Sequence, residues 1–362
     1  MPSSTSSSDH GQLDGDSYER PLPALNGGAA LGLALALFVL ALGAWELYWR
    51  DYGVTPGYRN SDARWAEQRR RIDHGEGRRT VIIGSSRLLF GIQLPVWERL
   101  SGERPIQLAL EGSSPVAFLE DLADDPDFTG RLLVGVTPGL FFTGFAFRLD
   151  ALKHYRNETL AQRSGHWLST WLLEPWLAFY DEDYALITVL KRQAWPTRPG
   201  VPVRESVRKL MISDADRNTR MWSKVENDPE YRAMAQRIWA QNFKPLPPEA
   251  IEKAMKTRDE QIDKAVAAVH KLRARGVEVV FVRAPSADRL LQFERTSQPR
   301  ESTWDALIAK AGVPGIHFED HPELQGYEVP EWSHLSASEA DRFTAALYPL
   351  AERAFASQSE GD

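Results

Sequence analysis

The hydrophobic and polar positions of this chain fall into blocks of different period. From Gly27 to Trp45 there is no charge, and Leu31, Leu33, Leu35, Leu37, Phe38, Val39, Leu40 and Leu42 fill the run. It is about 19 residues long, the length a helix needs to cross the hydrocarbon of a bilayer. Trp45, Tyr48 and Trp49 close it as an interfacial belt would. Short apolar runs then recur at Thr80–Ile83, which is β-branched, and at Pro105–Leu110 and Arg131–Val136, each ending in a turn: Gly84-Ser85-Ser86, Glu111-Gly112-Ser113-Ser114-Pro115 and Thr137-Pro138-Gly139. Repeated strand-turn-helix units predict a parallel sheet.

From Leu140 to Pro247 the pattern carries no strand signal and is crowded with aromatics, including Phe141, Phe145, Phe147, Trp167, Trp171 and Trp176. Trp167 and Trp171 stand at helical spacing beside Leu168 and Leu172, which predicts an aromatic helix face. Two readings stand here: a helical insertion packed over the sheet, or a membrane-leaning cap above its active face. Beyond Pro248, Ile251, Met255, Ile262, Ala265, Val269 and Leu272 make one side of a long amphipathic helix that stops at Gly276. A strand at Val277–Val282, a helix at Ser302–Ala311, a strand at Gly315–Phe318 and a last helix follow. Ser336 and Glu339 are spaced as a capping box for that helix.

The chain therefore divides into a disordered tail (1–24), a transmembrane anchor (25–49), a connector (50–79), an α/β domain (80–357) carrying a helical insertion (140–247), and a short tail (358–362). The expected architecture is a three-layer α/β fold, a parallel sheet flanked by helices. A cleaved signal peptide is the rival for the first apolar block, but such peptides carry about 7 to 15 apolar residues behind basic ones. The longer run and its closing aromatics favour an uncleaved, single-pass anchor. Gly28 and Gly32 form a GxxxG step suited to helix pairing. Orientation is contested by charge: Arg20 precedes the run, whereas Arg50, Arg59, Arg64, Arg69, Arg70 and Arg71 follow it, and a literal positive-inside count puts the domain in the cytoplasm.

Composition narrows the function classes. The 362 residues are 43% hydrophobic and 26% charged, enough to bury a large core, and the net charge is -7 with no basic stripe beside exposed aromatics. A nucleic-acid partner is not indicated. Cysteine is absent, which removes disulfides, thiolate metal sites and thiol chemistry. No cofactor and no metal are expected.

A serine presented at the C-terminal edge of a parallel sheet becomes a nucleophile only with a base and an acid to orient it. Of eight histidines, His10 and His74 fall in the tail and connector, His154 and His166 in the insertion, and His270 on the amphipathic helix. His317 and His321 remain alternatives. His334 stands in Pro330-Glu331-Trp332-Ser333-His334-Leu335, a loop before the last helix, with a carboxylate three residues upstream.

A Gly-x-Ser turn after the first strand and an acid-x-x-His loop before the last helix together resemble the SGNH/GDSL hydrolase superfamily, which has a flavodoxin-like sheet. The resemblance covers about Thr80 to Val136 and Ala250 to Phe355. It implies Ser86 as nucleophile, with Ser85 in place of the usual Asp, and His334 and Glu331 as base and acid, with Glu in place of Asp. It also implies the N–H groups of Ser86 and Gly112 as oxyanion donors. Where the superfamily carries Gly-x-Asn-Asp, this chain reads Gly135-Val136-Thr137-Pro138, so the third donor amide is missing and Thr137 is the nearest substitute. Arg87, next to the nucleophile, is a candidate contact for an anionic substrate or the partner of a structural carboxylate.

The Gly-Ser-Ser-Arg block behind a membrane helix is similar to the membrane-anchored branch of that superfamily. That implies an O-acyl esterase or acyltransferase on the periplasmic side of the cytoplasmic membrane, acting on a cell-envelope glycan or polymer. The partners expected are the bilayer, an acyl-carrying substrate and a membrane partner protein. Two other readings remain: an impaired domain that binds a glycan or protein in an envelope assembly, and a cytoplasm-facing lipid esterase.

Overall fold

The computed structural model describes residues 26–359 except 194, 196–198 and 200–204; the tail at 1–24 lies outside the described residues. The chain separates into two compact units, one ending at Tyr48 and the other beginning at Trp49. The first holds most of the helix Gly27–Asp51, which is long and apolar enough by length and composition to cross a membrane. Its Leu33, Leu37 and Phe38 are exposed.

The second unit is built on β1 (Thr80–Ile83), β2 (Ile106–Gln107), β3 (Arg131–Gly135), β4 (Met211–Ser213), β5 (Thr219–Met221), β6 (Glu278–Arg283) and β7 (Gly315–His317). Five of these form a sheet in the order β2-β1-β3-β6-β7, with every pairing parallel. Because side chains alternate across a strand, Val81, Ile83, Leu132, Val134, Val279 and Phe281 share one face. There they join a core with the helices Val116–Asp124, Pro248–Arg273 and Trp304–Ala311. Ile82, Leu133, Val280 and Val282, equally buried, take the other face, which is covered by Ser86–Gly91, Leu94–Ser101 and Ala337–Ser359. The chain crosses from β2 to β3 over β1, so the strand order reverses between β1 and β3. Their C-terminal ends border the crevice where open α/β sheets hold ligands.

Several elements depart from the sequence pattern for identifiable reasons. The second strand, expected over Pro105–Leu110, is regular only at Ile106–Gln107, although Leu108 and Leu110 still donate to Ile82 and Gly84. The carbonyls of Gln107 and Ala109 on its open edge are taken instead by the buried guanidinium of Arg217 (2.6 and 2.7 Å). That caps an edge which would otherwise invite pairing. Arg217 comes from the loop of a two-stranded antiparallel hairpin, β4-β5, inside the segment expected to be wholly helical.

Residues 50–79, expected as a connector, belong to the globular unit. The helix Asp62–Arg71 buries Trp65, whose indole N–H donates to Leu108 O (2.9 Å). The expected capping box at Ser336 and Glu339 is replaced: Ser336 Oγ has no partner, and the Ala337 N–H is capped by Glu226 from the insertion (2.5 Å). The last helix runs on to Ser359, through residues expected as a tail.

Candidate active site

β1 stops because Gly84 permits a close turn. A Cβ there would stand 3.1 Å from Gly135 Cα, and one on Gly135 would lie 2.8 Å from Leu88 Cδ2, so the ends of β1 and β3 meet as a glycine pair under Leu88. Ser85 is the N-cap of Ser86–Gly91, which makes Ser86 the first helical residue. Its N–H is among the first-turn donors that a helix leaves without an intrahelical acceptor.

His334 arrives from the opposite end of the chain. Its Nε2 lies 2.7 Å from Ser86 Oγ, and its Nδ1 lies 2.8 Å from Glu331 Oε1. The backbone N–H of His334 also donates to Glu331 Oε1 (2.6 Å). Ser86, His334 and Glu331 are therefore joined in one hydrogen-bonded line, with His334 3% and Glu331 0% exposed. The Phe90 ring stacks on the imidazole at 4.3 Å. Burial pushes the Glu331 carboxyl up, but the charge interaction with His334, followed by the hydrogen bonds from His334 and Trp239, outweighs this and holds it below the usual carboxylate range. A carboxylate bonded to Nδ1 fixes the tautomer with Nε2 as acceptor, the form able to take a hydroxyl proton.

Trp239 and Gln236 are members of the site that the sequence pattern does not reveal. They project from the insertion helix Pro229–Ala240. The Trp239 indole N–H donates to Glu331 Oε2, and Gln236 donates to Pro330 O (2.9 Å). The loop carrying Glu331 and His334 is tight. Trp332 has φ 73, a left-handed conformation that costs a non-glycine residue about 1 kcal/mol or more, and its carbonyl accepts from Ala287 N–H (2.9 Å).

Two residues before Gly112, the Leu110 N–H donates to Gly84 O (2.9 Å), and the Gly112 carbonyl accepts from Phe147 N–H (3.1 Å). Thr137 is nearly buried, and its hydroxyl pairs with that of Ser85. Arg87 is turned away from the serine and into the protein. It shares Glu294 with Arg283, and Ser286 donates to the same carboxylate. The two guanidiniums override the cost of burial and lower Glu294 to about 2. His317 lies at the end of β7, where its Nδ1 accepts the Glu319 N–H (3.2 Å). His154 pairs with Glu158, and His166 with Glu67. Among the described residues no group of three or more His, Asp or Glu is placed to hold a metal ion.

No family model matches the chain, and no curated protein matches it.

Proposed function

We propose that the chain is a membrane-anchored serine O-acyl esterase or acyltransferase of the SGNH/GDSL kind, working through Ser86, His334 and Glu331 on an acylated cell-envelope glycan or polymer at the periplasmic face of the cytoplasmic membrane. The observation that carries this reading is the continuous line from Ser86 Oγ through the imidazole to a buried carboxylate, 2.7 and 2.8 Å per link. This arrangement gives a serine the general base it needs to act as a nucleophile at neutral pH.

In the first half-reaction Ser86 Oγ bonds to the ester carbonyl carbon while its proton passes to His334 Nε2. Glu331 holds Nδ1–H and stabilises the imidazolium. The oxyanion faces the Ser86 N–H and the Gly112 turn. Collapse breaks the bond to the leaving alcohol, which takes the proton from Nε2 and leaves acyl-Ser86. Water or an acceptor hydroxyl then gives its proton to Nε2 and attacks the acyl carbon; collapse breaks the acyl–Oγ bond, and Ser86 Oγ takes the proton back from Nε2. Hydrolysis and transfer differ only in that second nucleophile.

A serine-directed fluorophosphonate tests the reading on the full-length protein in detergent. Wild type should be labelled and Ser86→Ala should not, with His334→Ala strongly slowed. A folded wild type that stays unlabelled would replace this reading with the second one, a domain that binds a glycan or protein without turnover. That reading is favoured by the Thr at position 137. Losing one oxyanion donor costs about 10²- to 10³-fold in rate.

A further inference from the structure

The helix Leu160–Leu172 is inside out. Its polar side chains face the protein: Thr170 Oγ1 accepts from Arg64 (2.8 Å), His166 pairs with Glu67 (3.1 Å), and Ser169 donates to Glu174 (2.7 Å). Glu174, two residues past the helix, is buried in an ion pair with Arg64. None of the thirteen helical residues is buried. The apolar face, with Trp167, Leu168, Trp171 and Leu172, looks outward, and Trp167 and Trp171 are 60% and 63% exposed. Trp176, also exposed, folds back to donate to Trp171 O (3.2 Å).

The second helix of this region, Leu186–Lys191, repeats the arrangement. It too has no buried residue, and Leu186, Ile187 and Leu190 are exposed. Exposed Trp195 donates to Leu190 O (2.7 Å), which extends the face. Clustered exposed apolar side chains mark a surface that is covered by something.

What covers it is indicated by where the faces lie. Trp49 and Arg50 are the residues at which the globular unit continues into the apolar run. The Trp49 ring packs on Tyr184 at 4.4 Å, two residues before Leu186–Lys191 begins. The Arg50 guanidinium donates to Trp176 O (2.8 Å), at the edge of the first face. The chain thus enters the globular unit between two outward apolar helices rich in Trp and Leu, and Trp prefers the bilayer interface.

We infer that the outward faces of Leu160–Leu172 and Leu186–Lys191 lie in the interfacial layer of the same bilayer that receives the N-terminal helix. The inference rests on the anchor reading of that helix. The insertion is then a second membrane contact, fixing the orientation of the active-site crevice above the lipid surface in place of free swivelling on one helix.

The cysteine-free sequence makes the test direct. Single cysteines replacing Leu168, Trp171, Ile187, Leu37 or Lys271 are labelled with an environment-sensitive fluorophore in the full chain, reconstituted into vesicles of phosphatidylcholine and phosphatidylglycerol. The expected result is blue-shifted emission, quenched by nitroxide lipids and not by iodide, at Leu37, Leu168, Trp171 and Ile187, with the reverse at Lys271. Lipid quenching at Leu37 with iodide quenching at Leu168 and Ile187 overturns the inference and leaves the anchor intact. Labels at Leu168 and Ile187 shielded from both quenchers mean a protein covers the face, which overturns it as well. Iodide quenching at Leu37 removes the anchor reading itself. The insertion positions are exposed, so their substitution leaves the fold's core untouched.

Discussion

Replacing Trp239 with Phe keeps most of the ring and deletes one donor from a buried carboxylate. Glu331 accepts from the His334 backbone N–H, from His334 Nδ1–H and from the Trp239 indole. A hydrogen bond to a charged group contributes about 1.5–3 kcal/mol. Trp239 is only half-buried, so we expect the lower end, a loss of about tenfold in the folding equilibrium constant. The carboxyl also loses one of the groups holding its pKa down, so its folded value moves back up. Glu331 contributes stability above the ordinary carboxylate pKa that is lost as pH falls through the folded value. In Trp239→Phe that pH-dependent loss is smaller and is complete at a higher pH, because the folded value lies nearer the unfolded one. Urea unfolding at neutral pH and at pH 4 to 5 measures both effects, and fluorophosphonate labelling of Ser86 reports whether the acid still orients the base. The variant should unfold at lower urea and label more slowly. Wild-type midpoints at both pH values together with a wild-type labelling rate would refute the positioning role given to Trp239.

The Arg87–Glu294–Arg283 cluster predicts an asymmetry. Glu294→Gln leaves two buried guanidiniums without a counter-charge and should cost about 3–5 kcal/mol, whereas Arg87→Met leaves Glu294 still paired with Arg283 and Ser286 and should cost less; the opposite order in urea midpoints would refute the assignment. Burial, then Arg283 and Arg300, lower His317 from 6.5 to about 4 against the pull of Glu319 and Asp320. The folded state therefore keeps this ring neutral. Its contribution is present above pH 6.5 and is lost as pH falls toward 4, with a slope of at most about 1.4 kcal/mol per pH unit. His317→Gln should flatten stability across that window and leave the lower one, from Glu294, in place.

How much of this was legible in the chain depended on whether period alone carried the information. β1, β3 and β6 are short, almost wholly buried apolar runs bounded by turns, and such runs have few alternatives. The Ser85-Ser86 turn could be placed at the C-terminal end of β1 from the pattern of the chain, while the choice of Ser86 and its pairing with His334 came from the motifs the chain resembles. Trp239 could not, because nothing in the spacing of an insertion helix says which strand end it will cover. The direction of Arg87 was equally closed to inspection, since its partner Glu294 is 207 positions away. The helix Leu160–Leu172 shows the limit most clearly. Its 3.6 period announces an apolar face but does not state whether that face turns inward. The answer comes from Arg64 and Glu67 of the segment 50–79, which supply polar partners where a core would supply apolar ones.

Two of the positions at which the chain departs from the pattern it resembles, Ser85 and Thr137, touch each other. Each hydroxyl has one proton and can both donate and accept. Within the pair one proton lies between the oxygens and the other stays available. If Ser85 donates to Thr137, then the Thr137 hydroxyl can donate in turn toward the crevice between β1 and β3, where an amide is absent. If Thr137 donates to Ser85, the free proton belongs to Ser85, whose oxygen also faces the Arg87 N–H at 3.4 Å. The substitutions therefore act as one unit. Under the proposed acyl-transfer reading, the donor that Thr137 offers depends on the direction of that single hydrogen bond, and not on the identity of residue 137 alone.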